Sequence, residues 1–275
     1  MTIEESINNA KEGVSLVGEI IKAAGENPNV KEAANNLGQT AVTLTKTINN
    51  ALLPLAAINF AFDRARVYFT GQFQKDIAEK ASAIPQEQII EPKSSIAGPV
   101  LQGLAFTHEE INLKDMYLSL LATSMDGRVA ADAHPAFVEI IRQLSSEEAA
   151  LIRDVLHSPT AIPIVEVRLT TMGKQGWQTL ATHLLNLTEP VTKQPTEYSR
   201  TPAMVDNWLR LGLVSVDYNK QLMDENSYVW IDERPEVVRQ RQIHENEQQK
   251  LSFSKGIIQR TALGVQFAKA VGMMQ

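Results

Sequence analysis

Carboxylate and imidazole side chains are concentrated in one short stretch of the sequence. Asp126, Asp132, His134 and Glu139 lie there, and a single residue separates Asp132 from His134. Such donors bind zinc and other divalent cations, and a metal-activated water could cleave a phosphodiester. A structural interpretation is equally open, because Asp132 or His134 could cap the helix that Pro135 begins. The spacing matches no established metal motif, so we predict no metal site and keep a metal-dependent nuclease as an alternative function.

Other catalytic patterns are missing from the sequence. The segment 108–110 (HEE) lacks the second histidine of a zinc-protease helix, and carboxylates at a helix start explain it better. His157, His183 and His244 are isolated, and no serine lies in a Gly-x-Ser-x-Gly elbow. No glycines have the spacing of a phosphate-binding or dinucleotide-binding loop. We therefore predict a protein that is not an enzyme, with no catalytic residues and no cofactor.

The sequence contains two helix-start signals, one within the acidic stretch and one just after it. Pro135 fits the first turn of a helix, where a missing N–H is tolerated. The apolar residues behind it share one helical face: Phe137, Ile140, Ile141 and Leu144. Ser145 and Glu148 then have the spacing of a capping box, which opens a second helix. The sequence therefore predicts two short helices that meet at a sharp corner.

The block 134–149 (HPAFVEIIRQLSSEEA) resembles the signature of the abortive infection alpha (Abi-alpha) family of bacterial proteins. The residues that carry the motif are His134, Pro135, Phe137, Glu139, Leu144 and Glu148. Shorter segments fit the same family in the same order: 52–55 (LLPL), 84–85 (IP), 90–92 (IEP), 120–126 (LLATSMD), 209–213 (LRLGL) and 261–264 (TALG). The resemblance covers roughly residues 50 to 270. It implies a role in phage defence, in which an infected cell stops growing or dies before phage progeny are released, and it supplies no catalytic residues.

The first 57 residues show a heptad pattern in two parts, separated by 25–28 (GENP), where glycine and proline end a helix. The principal seam residues are Ile7, Val14, Val17, Ile21, Leu37, Leu44 and Ile48. We therefore predict an antiparallel helical hairpin over 1–57. Its narrow apolar seam buries little area alone, which favours packing on the body of the protein, self-association or a protein partner. Insertion into a membrane is an alternative for this segment and the apolar residues 51–62.

The remaining sequence predicts a helical bundle core over 58–158, with an aromatic stripe in its first helix, and a winged-helix-like domain over 159–275. In the second part we expect helices at 176–187 and 202–211. We expect strands near 164–169, 213–216, 228–231 and 256–259. The charged segment 232–250 is predicted to be a helical, solvated insertion. The expected fold class is therefore mainly α, with a helical hairpin, a bundle and a C-terminal winged-helix-like α+β part that contains a small β-sheet.

Composition limits the functional classes further. The formal net charge of -6 provides no general attraction for phosphate backbones, so nucleic acid is a disfavoured partner. The chain has no cysteine, and its acidic first residues lack the features of a secretory signal. We expect a cytoplasmic protein, with a position peripheral to the inner membrane as the alternative. The leading hypothesis is a non-enzymatic phage-defence protein that acts through protein contact or self-association; the alternatives are a membrane-perturbing toxin and a metal-dependent nuclease.

Overall fold

The computed structural model describes residues 62–274. The predicted hairpin over 1–57, with all of its seam residues, lies outside this range. The described residues form two compact units. Unit 1 runs to Ala150 and also includes the residues from Gln266 onward, and unit 2 is Leu151–Val265.

The described chain begins with helices. They are α1 (Phe62–Val67), α2 (Phe73–Ala81), α3 (Ser94–Thr107), α4 (Ile111–Met125), α5 (Ala136–Arg142) and α6 (Ser146–His157). A π-helical turn, Tyr68–Gln72, joins α1 to α2. Short 3-10 turns occupy Gln86–Gln88 and Ala130–Asp132. The central helix α4 packs against α2, α3 and α5, so most of its residues are buried.

The predicted aromatic stripe is part of the core of unit 1. Phe69, Phe73 and Ile77 are buried, and the rings of Phe69 and Phe73 pack edge to face with centroids 5.1 Å apart. Full burial of such side chains contributes roughly 1.5–3 kcal/mol each. The interpretation of this stripe as core, rather than as a ligand pocket, is confirmed for these residues.

Unit 2 is built around a four-stranded antiparallel sheet. Its strands are β1 (Ile162–Thr171), β2 (Gln178–Leu184), β3 (Val214–Asp217) and β4 (Gln249–Arg260), in the spatial order β2-β1-β4-β3. The helices are α7 (Thr201–Arg210) and α8 (Pro235–His244), with a 3-10 helix over Glu225–Glu233. A further helix, α9 (Ala262–Ala270), follows β4. Strands β1 and β4 pair at ten consecutive positions, from Ile162↔Ile258 to Thr171↔Gln249.

One face of the sheet carries the apolar core of unit 2. Val165 and Val167 of β1 pack against Tyr228, Trp230 and Ile231, which belong to the 3-10 helix. Tyr228 is anchored further, because its hydroxyl donates to the Gly256 carbonyl oxygen of β4 at 2.8 Å. The cluster explains why residues 225–233 stay on the sheet without pairing as a strand.

The expected fold class is wrong, because the protein has a mixed α+β fold with a four-stranded antiparallel sheet. Residues 178–184, expected to be helical, form strand β2, and residues 228–231, expected to be a strand, lie in the 3-10 helix. Strand β4 is also far longer than expected, because pairing with β1 extends it to twelve residues. The charged segment 232–250 was predicted to be helical. Helix α8 lies within it, whereas the last residues of the segment belong to strand β4.

Candidate functional site

The predicted helical corner is present in unit 1. Pro135 immediately precedes α5, and the His134 ring atom Nδ1 accepts a hydrogen bond from the Ala136 N–H at 3.1 Å. Ser145 and Glu148 form the capping box: the Ser145 N–H donates to the Glu148 carboxylate at 2.8 Å, and the Glu148 N–H donates to the Ser145 hydroxyl at 3.2 Å. Of the two residues that could cap this helix, Asp132 and His134, it is His134 whose side chain accepts a hydrogen bond from an N–H of the first turn.

Other motif residues of this corner are anchored by packing or by ion pairing. Phe137 is fully buried and meets Phe267 edge to face, with ring centroids 5.5 Å apart. Leu144 is buried as well, whereas Glu139 is exposed and pairs with Arg142 at 3.3 Å. Burial of Phe137 and Leu144 holds the corner in place, whereas Glu139 and Arg142 form an ion pair on its surface.

The residues considered as metal ligands do not converge. Asp126 is held by Arg128, whose Nη2 and Nε atoms donate to its two carboxylate oxygens at 2.6 and 2.9 Å. These hydrogen bonds lower the pKa of the Asp126 carboxyl, so the group stays ionised and paired. Within residues 62–274, no group of three or more histidine and acidic side chains is arranged to hold a metal ion.

Two regions that carry upstream family segments, 84–92 and 120–126, meet at one joint of unit 1, whereas 52–55 lies outside the described residues. The Ile90 N–H donates to the Met125 carbonyl oxygen at 2.9 Å, and the Gly127 N–H donates to the Gln88 carbonyl oxygen at 2.8 Å. The Arg128 guanidinium, fixed on Asp126, also reaches the Ala83 carbonyl oxygen at 3.3 Å. Segments 84–92 and 120–126 are therefore tied together at the end of α4.

The downstream family segments form a second joint, in unit 2. The Thr261 hydroxyl donates to the Gly212 carbonyl oxygen at 2.6 Å and accepts from the Gly264 N–H at 2.9 Å. The Thr261 N–H donates to the Leu213 carbonyl oxygen at 3.0 Å. Gly212 has a φ of 72°, a conformation that ends α7 and favours glycine. One threonine thus caps the start of α9 and fastens it to the turn after α7.

Unit 2 also contains a small cleft, of about 160 Å³, beside strand β2. Its most distinctive residue is His183, which has a φ of 56° although it is not a glycine. The strand is bulged at this point, since Val165 pairs with Leu184 whereas Val167 pairs with Ala181. Backbone strain of this kind costs about 1–3 kcal/mol and is concentrated at functional positions.

Tyr218 and Asp206 hold His183 in place. The Tyr218 hydroxyl lies 3.0 Å from the ring atom Nδ1 and also accepts a hydrogen bond from the His183 N–H at 3.2 Å. The other ring atom, Nε2, lies 3.2 Å from the Asp206 carboxylate. These partners assign the proton of a neutral ring to Nε2, with Tyr218 donating to Nδ1. Burial raises the pKa of Tyr218 to about 12, which keeps its hydroxyl available as a donor.

Both ring nitrogens of His183 are therefore engaged by partners within the protein. The other charges that line the cleft are also paired. Arg239 forms a two-pronged ion pair with Glu197 at 2.6 and 2.7 Å, and these hydrogen bonds lower the pKa of Glu197. Arg234, which is buried, pairs with Glu236 at 2.7 Å. The two arginines and two glutamates of the lining are thus joined in two ion pairs.

The family model for abortive infection alpha matches residues 65–271, which is most of the chain. The chain belongs to the abortive infection alpha family. The match includes the helical corner, both joints and the cleft. No curated protein and no solved structure shows significant similarity to the chain.

Most of the Abi-alpha motif thus maps onto helix caps, buried rings and interhelical joints. The cleft residues of this Abi-alpha protein were missed by sequence reasoning, which treated His183 as isolated. Tyr218 and Asp206 are 35 and 23 residues away from it, and no spacing rule connects them. Across the described residues, no helix combines the length and the apolar content needed to cross a bilayer.

The capping box of the Abi-alpha corner should make a measurable contribution to stability. Ser145→Ala removes the hydroxyl that accepts from the Glu148 N–H, and we expect it to lower the free energy of unfolding of unit 1 by about 1 kcal/mol. Hydrogen exchange of peptides covering α6 would measure the change. Ser145→Thr keeps a capping hydroxyl and is the matched control; equal protection in the Ala and Thr variants would contradict the assignment.

Proposed function

We propose that this Abi-alpha protein acts in phage defence without an enzymatic step, through protein contact or self-association. Residues 1–57, with their predicted heptad seam, are the effector or assembly element in this proposal. The observation that carries it is the structural use of the family motif. His134 and Glu148 cap helices, Asp126 pairs with Arg128, and Thr261 fastens α9. Groups employed in this way maintain a scaffold rather than a reaction centre.

A surface near the start of α1 supports the proposal that the protein acts through protein contact. A shallow hollow in unit 1 is lined by Val67, Tyr68 and His108 together with the exposed Arg64–Glu109 ion pair. Three large apolar side chains are exposed in this part of the chain. Val67 lines the hollow, and Phe106 and Ile111 are close in sequence to its lining residues His108 and Glu109. Contiguous apolar patches on a protein surface are typically covered by another protein surface, and we propose that these residues contribute to one. Residues 1–57 precede α1 in the sequence, and their predicted apolar seam is the occupant we propose for this surface.

Changing the seam to carry charge tests this function. Replacing Val17, Ile21, Leu44 and Ile48 together with aspartate puts four charges on the predicted apolar seam, so we expect protection against phage to be lost. The plating efficiency of phage on expressing cells would then equal that on cells without the gene. Sedimentation of the purified protein should show a smaller assembly than that of the wild type.

A matched control places the same number of aspartates on the opposite helical face. On the predicted helices, at 100° per residue, Asn8, Ser15, Gln39 and Asn50 would lie about 120–180° from the replaced seam residues of the same helix. Their aspartate variants should protect and assemble as the wild type does. Full protection by the seam variant would overturn the proposal. If protection were lost in His134→Ala instead, with the scaffold intact, the metal-dependent alternative would gain support.

A further inference from the structure

The cleft of unit 2 has the size and the walls of a small-molecule site. Cavities of roughly 150 Å³ accommodate a single benzene-sized ring, and this one has about 160 Å³. Part of its wall is apolar, including Leu184, Leu185 and Pro202. A few polar side chains are set into that wall, which is the usual composition of a ligand pocket.

The electrostatics of the cleft select against charged ligands. Its lining includes two arginines and two glutamates, joined as Arg234–Glu236 and Arg239–Glu197, so their formal charges cancel. A charged ligand would lose its hydration here and would have to compete with an existing ion pair for a counter-charge. Besides these pairs and His183, the polar side chains of the wall carry no charge, and they include Tyr198, Ser199 and Gln240. Hydroxyl and amide groups of this kind bind uncharged hydrogen-bonding ligands.

The strained bulge provides a second, independent observation. His183 lines the cleft with a left-handed backbone, and Tyr218 is held against it by two hydrogen bonds. Gly256 makes room for the Tyr218 ring, because a Cβ there would lie 2.6 Å from Tyr218 Cδ1. Several partners maintain this backbone strain at the wall of the cleft. Strain of this kind indicates that the shape of the wall serves a function.

We propose that this cleft binds an uncharged single-ring molecule with a hydrogen-bonding amide or hydroxyl edge. The site goes beyond the proposed contact function and does not depend on it. The ring packs against the apolar wall, and the neutral polar side chains form hydrogen bonds with the amide or hydroxyl edge. The paired charges exclude anionic and cationic relatives of the same ligand.

Three ring compounds of similar size test the proposal on the full chain. Benzamide is neutral, benzoate is its anionic relative and benzamidine its cationic relative. We expect saturable binding of benzamide in the millimolar range and at least about tenfold weaker binding of the two charged compounds. In amide spectra of the labelled protein, the resonances that move with benzamide should belong to residues 180–187, 197–202 and 234–240.

A variant that fills the cleft provides the second arm. Ser199→Phe should abolish benzamide binding, whereas Ser82→Phe, at an exposed serine of unit 1, should leave it unchanged. The amide map on the wild-type protein decides the question even if Ser199→Phe fails to fold. The proposal is overturned by absence of saturable benzamide binding, by equal binding of all three compounds, or by shifts outside the cleft.

Discussion

Gly264→Ala is expected to lower the free energy of unfolding of unit 2 by about 1–3 kcal/mol, although alanine is the better helix former. A Cβ at this position would overlap the Leu213 carbonyl oxygen and lie 3.1 Å from Leu156 Cδ2. The backbone cannot move away cheaply, because Thr261 binds the Gly212 and Leu213 carbonyl oxygens on the same turn. Helix propensity alone would give a gain of up to about 1 kcal/mol, which is a change of the opposite sign.

Hydrogen exchange of peptides from β3 and β4 would measure the loss in Gly264→Ala. Gly71→Ala is the matched control, since Gly71 lies in the π-helical turn Tyr68–Gln72 and a Cβ there meets nothing within 4 Å. That variant should match or exceed the wild type in stability, by up to about 1 kcal/mol. Equal or greater protection of unit 2 in Gly264→Ala would show that α9 does not pack as closely on Leu213 as the structure indicates.

Local features of this protein could be predicted from its sequence. The capping box of Ser145 and Glu148 involves residues three positions apart. The residues that form the sequence pattern are therefore the same residues that form the hydrogen bonds. The same holds for the start of α5 after Pro135 and for the buried stripe with Phe69 and Phe73. In each case the information lies within about two helical turns.

Strands β1 and β3 lie close to where the sequence predicts them, whereas β2 and the 3-10 helix could not be predicted in the same way. Residues 178–184 (QTLATHL) do not alternate strictly, and two irregularities in their register with β1 shift the side chains between faces. Their strand conformation is decided by β1, which in turn pairs with β4 some ninety residues later in the sequence. Residues 228–231 have strand-like composition, yet burial of Tyr228 and Trp230 against β1 decides their conformation.

The cleft was hidden for a related reason. Its lining comes from β2, from the segment before α7 and from α8, so no single stretch of sequence carries its pattern. The charged segment 232–250 was expected to be a solvated face, whereas Arg234 is 1% exposed. Charge runs are usually solvated, and only the tertiary structure shows that one of these arginines is internal.

Arg234→Met should be the most destabilising substitution in the wall of the cleft, with an expected loss of about 3–5 kcal/mol in the free energy of unfolding of unit 2. The guanidinium donates to the Leu187 and Thr196 carbonyl oxygens and to both carboxylate oxygens of Glu236. Methionine fills much of the same space but donates no hydrogen bond. The variant would therefore leave a largely buried carboxylate and two carbonyl groups without their donor.

Two further variants separate the charge from the loss of packing. Arg241→Met removes an arginine whose side chain is 39% exposed and pairs with exposed Asp232, so it should cost no more than about 1 kcal/mol. Adding Glu236→Met to Arg234→Met removes the stranded carboxylate and should restore part of the loss. Hydrogen exchange of peptides covering 185–200 and 234–244 would measure all three. If adding Glu236→Met lowered the stability of Arg234→Met further instead of restoring part of it, the ion pair would not be what holds these segments together.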